Sequence, residues 1–167
     1  MILKQNFGRL LSMALVIFAL AKIIPTFLSN SQAEDKRPPH FQMRTDDGTV
    51  IDSKGIQGPV VLAFWATWCG PCTIELARLN RLIVKGEISK DSVIAISMGE
   101  DPALVSQTVK QRGYLFRNLQ DVDHSAASAF QVQGTPTVVF LGRDESVAWL
   151  TTGLSPLLEL RVKHFLL

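Results

Sequence analysis

Residues 60–72 read VVLAFWATWCGPC. Val60 to Ala66 is a continuous apolar run rich in β-branched and aromatic residues, the pattern of a strand buried on both faces. Gly58-Pro59 breaks the chain just before it. A helix is expected from about Gly70 to Lys85, stopping at Gly86. The only two cysteines of the chain, Cys69 and Cys72, therefore stand at the junction of strand and helix. The first turn of a helix leaves N–H groups unpaired and carries the positive end of the macrodipole, so a thiol placed there is favoured as its thiolate. A Cys69 thiolate attacks a disulfide, and Cys72, one turn on, resolves the mixed disulfide. Pro71 suits the first turn, where its missing N–H would have no partner anyway.

A lone CxxC can also be half of a zinc site. No second CxxC and no closely spaced pair of histidines accompanies it; His40, His124 and His164 are far apart and read as surface residues. A purely structural disulfide is disfavoured, because a two-residue loop removes little chain entropy. No metal and no cofactor is expected. Two cysteines also exclude a multi-disulfide scaffold.

Working outward, Phe41–Arg44, the turn Asp46-Asp47-Gly48 and Thr49–Ile51 read as a hairpin. Ser92–Ser97 reads as a second buried strand. Residues 102–112 read as a helix, with Pro102 at its start and Gly113 just past its end. Tyr114–Phe116 is expected as a short strand and residues 124–131 as a short helix. Thr137–Leu141 and Ser146–Leu150 read as strands around a turn at 142–145, and Pro156–Phe165 as a closing helix. Strands alternating with helices, then a terminal hairpin and helix, predict an α/β sandwich around a mixed sheet.

The chain has 167 residues, 47% hydrophobic and 19% charged, which suits one domain with a sizeable core and excludes global disorder. The net charge of +2 is unevenly placed. Residues 1–33 hold Lys4, Arg9 and Lys22 and no acid, which leaves 14 of the 17 basic residues against all 15 acids in 34–167. A domain so balanced has no nucleic-acid footprint.

The N-terminal part, residues 1–33, reads as a membrane anchor or signal segment with the start of a linker; residues 34–167 read as the domain. Leu10–Ala21 is apolar apart from Ser12, and Ile23, Ile24, Phe27 and Leu28 extend it past Lys22. Lys4 and Arg9 before it favour a cytoplasmic N-terminus. The favoured reading is one span over residues 8–28, with Lys22 snorkelling to the outer interface. The alternative is a signal peptide cleaved near Ala33, after Ser31-Gln32. A buried helix of a soluble protein is the bland reading. Residues 29–39 (SNSQAEDKRPP) read as a polar linker. Either leading reading puts the domain outside the cytoplasm.

WCGPC after a hydrophobic strand resembles the thioredoxin superfamily, over residues 38–167. Gly134-Thr135-Pro136-Thr137, opening a later strand, is similar to a second element of that family. The resemblance implies a thioredoxin-like three-layer sandwich with a mixed central sheet and an N-terminal β-hairpin. It also implies that Pro136 follows a cis bond and lies against the CxxC, with Thr135 pairing with the substrate backbone. An X-Pro bond makes cis chemically accessible.

Glu75 narrows the resemblance. At 100° per residue, Leu76, Leu79, Leu82 and Ile83 lie within about 80° of Cys72, and Glu75 falls inside that stripe. An acid among leucines has a raised pKa and could exchange a proton with Cys72. The bland alternative pairs it with Arg78 at the stripe edge. Ordinary thioredoxins carry an acid in the strand before the motif, where this chain has Ala63. Membrane-anchored extracytoplasmic relatives instead place a Glu three residues after the second Cys, as here. The resemblance therefore implies the thiol–disulfide oxidoreductases of cytochrome c maturation, disulfide handling and copper tolerance.

These readings make Cys69, Cys72 and Glu75 the candidate catalytic residues, with Cys69–Cys72 as a redox-active disulfide. Trp68, Thr135 and Pro136 are the candidate substrate-binding residues. Trp65 reads as packing and Trp149 as core. The expected activity is reduction of protein disulfides at the periplasmic face of a bacterial inner membrane, with a membrane electron donor as partner and a monomer by default. Three alternatives stay open: a disulfide oxidant or isomerase, a Cu(I) chaperone using the same thiolates, and an anchored interaction domain with an idle redox pair.

Overall fold

The computed structural model describes Met13 and residues 36–167. The expected anchor or signal segment and most of the linker lie outside the described residues. Among the described residues, no helix is long and apolar enough to cross a membrane.

The elements in chain order are β1 (Gln42–Arg44), β2 (Val50–Asp52), β3 (Val60–Trp65), α1 (Gly70–Val84), β4 (Val93–Met98), α2 (Pro102–Arg112), β5 (Arg117–Asp121), α3 (Ser125–Ala129), β6 (Thr137–Leu141), β7 (Val147–Thr152) and α4 (Leu158–Leu166). The strands form one mixed sheet in the order β2-β1-β5-β4-β3-β6-β7. β3, β4 and β5 run parallel; β6 is antiparallel to β3, and β7 to β6.

β3 lies at the centre because every one of its residues is buried. Its alternate residues divide the core. Val61, Ala63 and Trp65 pack with Leu76, Leu79 and Leu82 of α1 and with Leu158 and Val162 of α4. Val60, Leu62 and Phe64 face the other way, toward Phe41, Ala126, Ala127 and Phe130. Each fully buried leucine contributes roughly 1.5–3 kcal/mol of transfer free energy. Helices α1, α2 and α4 on one face, the sheet, and α3 on the other make the three layers, with the β1-β2 hairpin as one edge of the sheet, which is the thioredoxin-like sandwich the resemblance implies.

α2 starts on Asp101, whose carboxylate accepts the Ala103 and Leu104 amides, and ends at Gly113 in the left-handed region with φ of 64°. A glycine carries that φ without the Cβ clash.

Three expectations need correction. The strand expected at Tyr114–Phe116 begins instead at Arg117 and runs through Asn118, Gln120 and Asp121. Those polar residues are tolerated inside because each finds a partner. Asn118 Oδ1 accepts from the Trp65 indole at 3.1 Å, and the Gln120 amide donates to Asp46 at 3.2 Å. Asp121 accepts the Ala126 and Ala127 amides at 3.0 and 2.7 Å, capping α3 from the sheet. Trp149 is not core. It sits on the edge strand β7 at 38% exposure, with the Arg161 guanidinium 3.7 Å above its ring, a cation–π stack that suits a half-wet indole. The closing helix begins at Leu158 rather than Pro156, because Ser155 and Pro156 are held in a loop described below.

Candidate redox site

β3 ends at Trp65 and the chain turns at once: the Cys69 amide donates to the Ala66 carbonyl at 3.1 Å. Cys69 is the N-cap of α1, with extended backbone, and its Sγ accepts the Cys72 amide at 3.2 Å. The strand-to-helix placement read from the sequence is thus realised, and the first cysteine takes the role usually held by Ser or Asp. Cys69 and Cys72 form a disulfide, with S–S 2.01 Å and Cα–Cα 5.2 Å. Cys72 is fully buried; Cys69 retains 5% exposure. Trp68, Gly70 and Pro71 around it are exposed, Trp68 at 78%. An incoming group therefore meets Cys69 first.

Thr135–Pro136 is a cis peptide bond, as the resemblance implies. β6 pairs with β3 so that Thr137 faces Phe64. Continuing that register puts Pro136 opposite Trp65, at the end of β3 from which the cysteine loop departs. Pro136 is buried and Thr135 half-buried. The topology thus brings residues more than sixty positions apart to one end of the sheet.

Glu75 is 1% exposed, among Cys72, Leu76, Leu79 and Leu82 on the inner face of α1. Burial pushes its carboxyl above the usual range; the Ser155 amide and the Arg78 guanidinium pull the other way, and Glu159 adds repulsion. Its Oε1 accepts the Ser155 amide at 2.5 Å, while Oε2 has no hydrogen-bond partner among the described residues. The bland reading, an edge acid paired with Arg78, does not describe it. Arg78 instead donates to the Ser155 and Pro156 carbonyls at 2.6 and 3.1 Å and approaches Glu159 at 3.6 Å.

One residue of this end of the fold escaped the sequence reading. Glu100, in the loop after β4, accepts the Thr67 amide and hydroxyl, at 2.8 and 2.5 Å. It braces the segment between β3 and Cys69. Its place just past the carboxyl end of a parallel strand, where sites of α/β sheets gather, was the available signal. Trp65 is buried packing as expected. His40 pairs with Asp52 at 2.6 Å, and His124 and His164 are exposed.

The strand–CxxC–helix unit and the sheet that carries it occupy residues that match the AhpC/TSA family over 35–150. The chain belongs to that family. Among its AhpC/TSA-family relatives, thiol-disulfide oxidoreductase ResA of Bacillus subtilis is 27% identical over 124 residues, 74% of this chain and 69% of that one. ResA of Bacillus anthracis is 30% identical over 113 residues, 67% and 65%. The chain spans about two thirds of the length of these curated relatives. The solved structure of StoA from Bacillus subtilis superposes with a TM-score of 0.62 at 20% identity, over 77% of this chain and 96% of that one. A secreted disulfide oxidoreductase of Mycobacterium tuberculosis, described as homologous to DsbE of E. coli, gives 0.61 at 25% identity, over 74% and 95%. Family, relatives and the Cys69–Cys72 bond agree on one activity class: this AhpC/TSA-family member is a thiol–disulfide oxidoreductase.

Proposed function

We propose that this AhpC/TSA-family chain reduces disulfides of protein substrates outside the cytoplasm. Reduced Cys69, as thiolate at the α1 N-terminus, attacks a substrate disulfide, and one substrate sulfur leaves as thiolate. Glu75 takes the proton of the Cys72 thiol. The Cys72 thiolate then attacks Cys69 Sγ, which closes the Cys69–Cys72 bond and expels the second substrate sulfur. Two electrons pass to the substrate, and the dithiol becomes the disulfide seen here. Trp68 supplies the apolar contact surface, and Thr135 and Pro136 dock the substrate chain.

The observation that carries this reading is Glu75: an acid buried beside the resolving cysteine, on a chain with Ala63 where the preceding strand could have held one. The apolar N-terminal stretch and the relatives' names support a membrane-anchored, periplasmic domain over residues 34–167. They also support a substrate of the cytochrome c maturation type and a membrane donor that restores the dithiol. The domain acts as a monomer.

The test is the reduction potential of the full-length chain against a dithiothreitol series. A value near or below about −270 mV, where thioredoxin lies, fits a reductant. A value near about −120 mV would make it a disulfide donor and overturn the proposed direction.

A further inference from the structure

The loop between β7 and α4 is bonded to both halves of the site. The Gly153 amide donates to the Pro136 carbonyl at 2.7 Å, and two residues later the Ser155 amide donates to Glu75 Oε1 at 2.5 Å. Arg78, one turn beyond Glu75 on α1, grips the same loop from the other side through the Ser155 and Pro156 carbonyls. Ser155 is itself buried, at 6% exposure. The contacts form a closed circuit: α1 holds the loop through Arg78, the loop holds the carboxyl on α1, and it also holds the strand opening at Pro136.

We infer that Gly153–Ser155, clamped by Arg78, is the positioning device that orients the Glu75 carboxyl and sets its proton affinity. The inference rests on the proposed proton role of Glu75. An amide N–H aimed at a carboxylate favours the charged form, while burial among leucines favours the neutral one. Burial alone favours the protonated carboxyl, and a protonated carboxyl cannot take the proton of Cys72. The Ser155 amide offsets that and fixes which oxygen is occupied, leaving Oε2 free. The charged groups that face Glu75 are Arg78 on its own helix and Glu159 on α4, one favouring and one opposing its ionisation. Ser155 and Arg78 are thus positioning residues. Neither is required to touch a reacting sulfur.

Two variants of the full-length chain in detergent micelles test this. Ser155→Pro removes the amide donor; Arg78→Lys keeps the charge but lacks the planar fork that holds two carbonyls. Carboxyl 13C NMR of the oxidised protein, with Glu75→Gln to assign the resonance, reads the Glu75 titration directly. The expected result is a midpoint moved to higher pH in each variant. In stopped flow, reduced protein reacting with 5,5′-dithiobis(2-nitrobenzoate) releases a second thionitrobenzoate as Cys72 resolves the adduct. The pH profile of that phase should move the same way. A midpoint that stays at the parent value overturns the inference, and Arg78→Lys decides alone if Ser155→Pro does not fold. If Glu75→Gln leaves the second phase unchanged, the proton role fails instead, and the two failures are told apart.

Discussion

Glu100 holds Thr67 with both carboxylate oxygens, one on the backbone amide at 2.8 Å and one on the hydroxyl at 2.5 Å. The two residues lie on different loops, after β4 and after β3. The pair staples the segment that delivers Cys69 to the start of α1. A charged acceptor makes such bonds worth roughly 1.5–3 kcal/mol each net of solvent exchange, and less here because the pair is only half-buried. Glu100→Ala is therefore expected to lower the unfolding free energy of the oxidised protein by about 1–3 kcal/mol. Glu100→Gln should lose less, since its carbonyl can still accept one bond. Urea unfolding curves that coincide for parent and Glu100→Ala would remove the staple from the account.

The two sulfurs differ in burial, and that predicts different fates for their variants. Cys69 is the one reached from outside; Cys72 is closed off. With the reduced protein and a disulfide peptide, Cys72→Ser should accumulate a covalent adduct through Cys69, visible as an added mass. Cys69→Ser should show no adduct, and both should lose turnover to background. An adduct on Cys72 in the Cys69→Ser protein would contradict the assigned order of attack.

Glu75 links stability to pH. Its folded pKa is raised by burial above the ordinary 4.5, so between the two values the native state binds more protons than the unfolded one. Stability from this group is fully present below about pH 4.5 and is lost as pH rises through the folded pKa. Half-buried acids such as Asp52 and Glu87 act in the opposite sense, held below their usual range by the Lys54 amide and the Lys163 side chain respectively. The difference between parent and Glu75→Gln isolates Glu75, because glutamine cannot ionise. Glu75→Gln should gain stability over the parent toward neutral pH and match it below about pH 4.5. Parallel stability curves from pH 4 to 8 would show that the carboxyl is not desolvated in solution.

Asp121 is a buried acid whose two oxygens each accept an amide at the start of α3. Asp121→Ala leaves the Ala126 and Ala127 N–H groups without acceptors inside the fold. Each orphaned donor costs roughly 1–3 kcal/mol, so a loss of about 2–5 kcal/mol is expected. Asp121→Asn keeps one acceptor and should lose about half as much. Thermal melts ranked parent, Asn, Ala check this; an Ala variant as stable as the parent would show that the cap carries no weight.

Much of this fold is legible in local patterns. The run at 60–66, the leucine stripe of α1 and the Pro102 to Gly113 frame of α2 obey one-dimensional rules of period and capping. The structure reproduces them within a residue or two. β5 is hidden in the sequence because its residues look like a loop: Arg117, Asn118, Gln120 and Asp121 offer no apolar alternation. Arg117 stays exposed, and the burial of Asn118, Gln120 and Asp121 becomes affordable only when Trp65, Asp46 and α3 arrive from elsewhere in the chain. Trp149 misleads for the reverse reason. A tryptophan on a strand reads as core unless the strand is known to be an edge with an arginine above it.

The sequence by itself determined the chemistry of the site: two cysteines three apart at a strand-to-helix junction, a following acid on the buried stripe, and a Thr-Pro opening a later strand. Those signals are local, since helix period, cap position and backbone type depend on neighbours within a few residues. Only the tertiary structure decided which groups surround that chemistry. Ser155 lies 80 residues from Glu75, Glu100 lies 33 from Thr67, and strand pairing alone carries Pro136 to the end of β3 from which the cysteine loop departs. Such contacts depend on which strands pair and in what register, a property of the whole packed sheet. The proton affinity of Glu75 is likewise a property of its surroundings: burial raises it, the Ser155 amide and Arg78 lower it, and Glu159 raises it again.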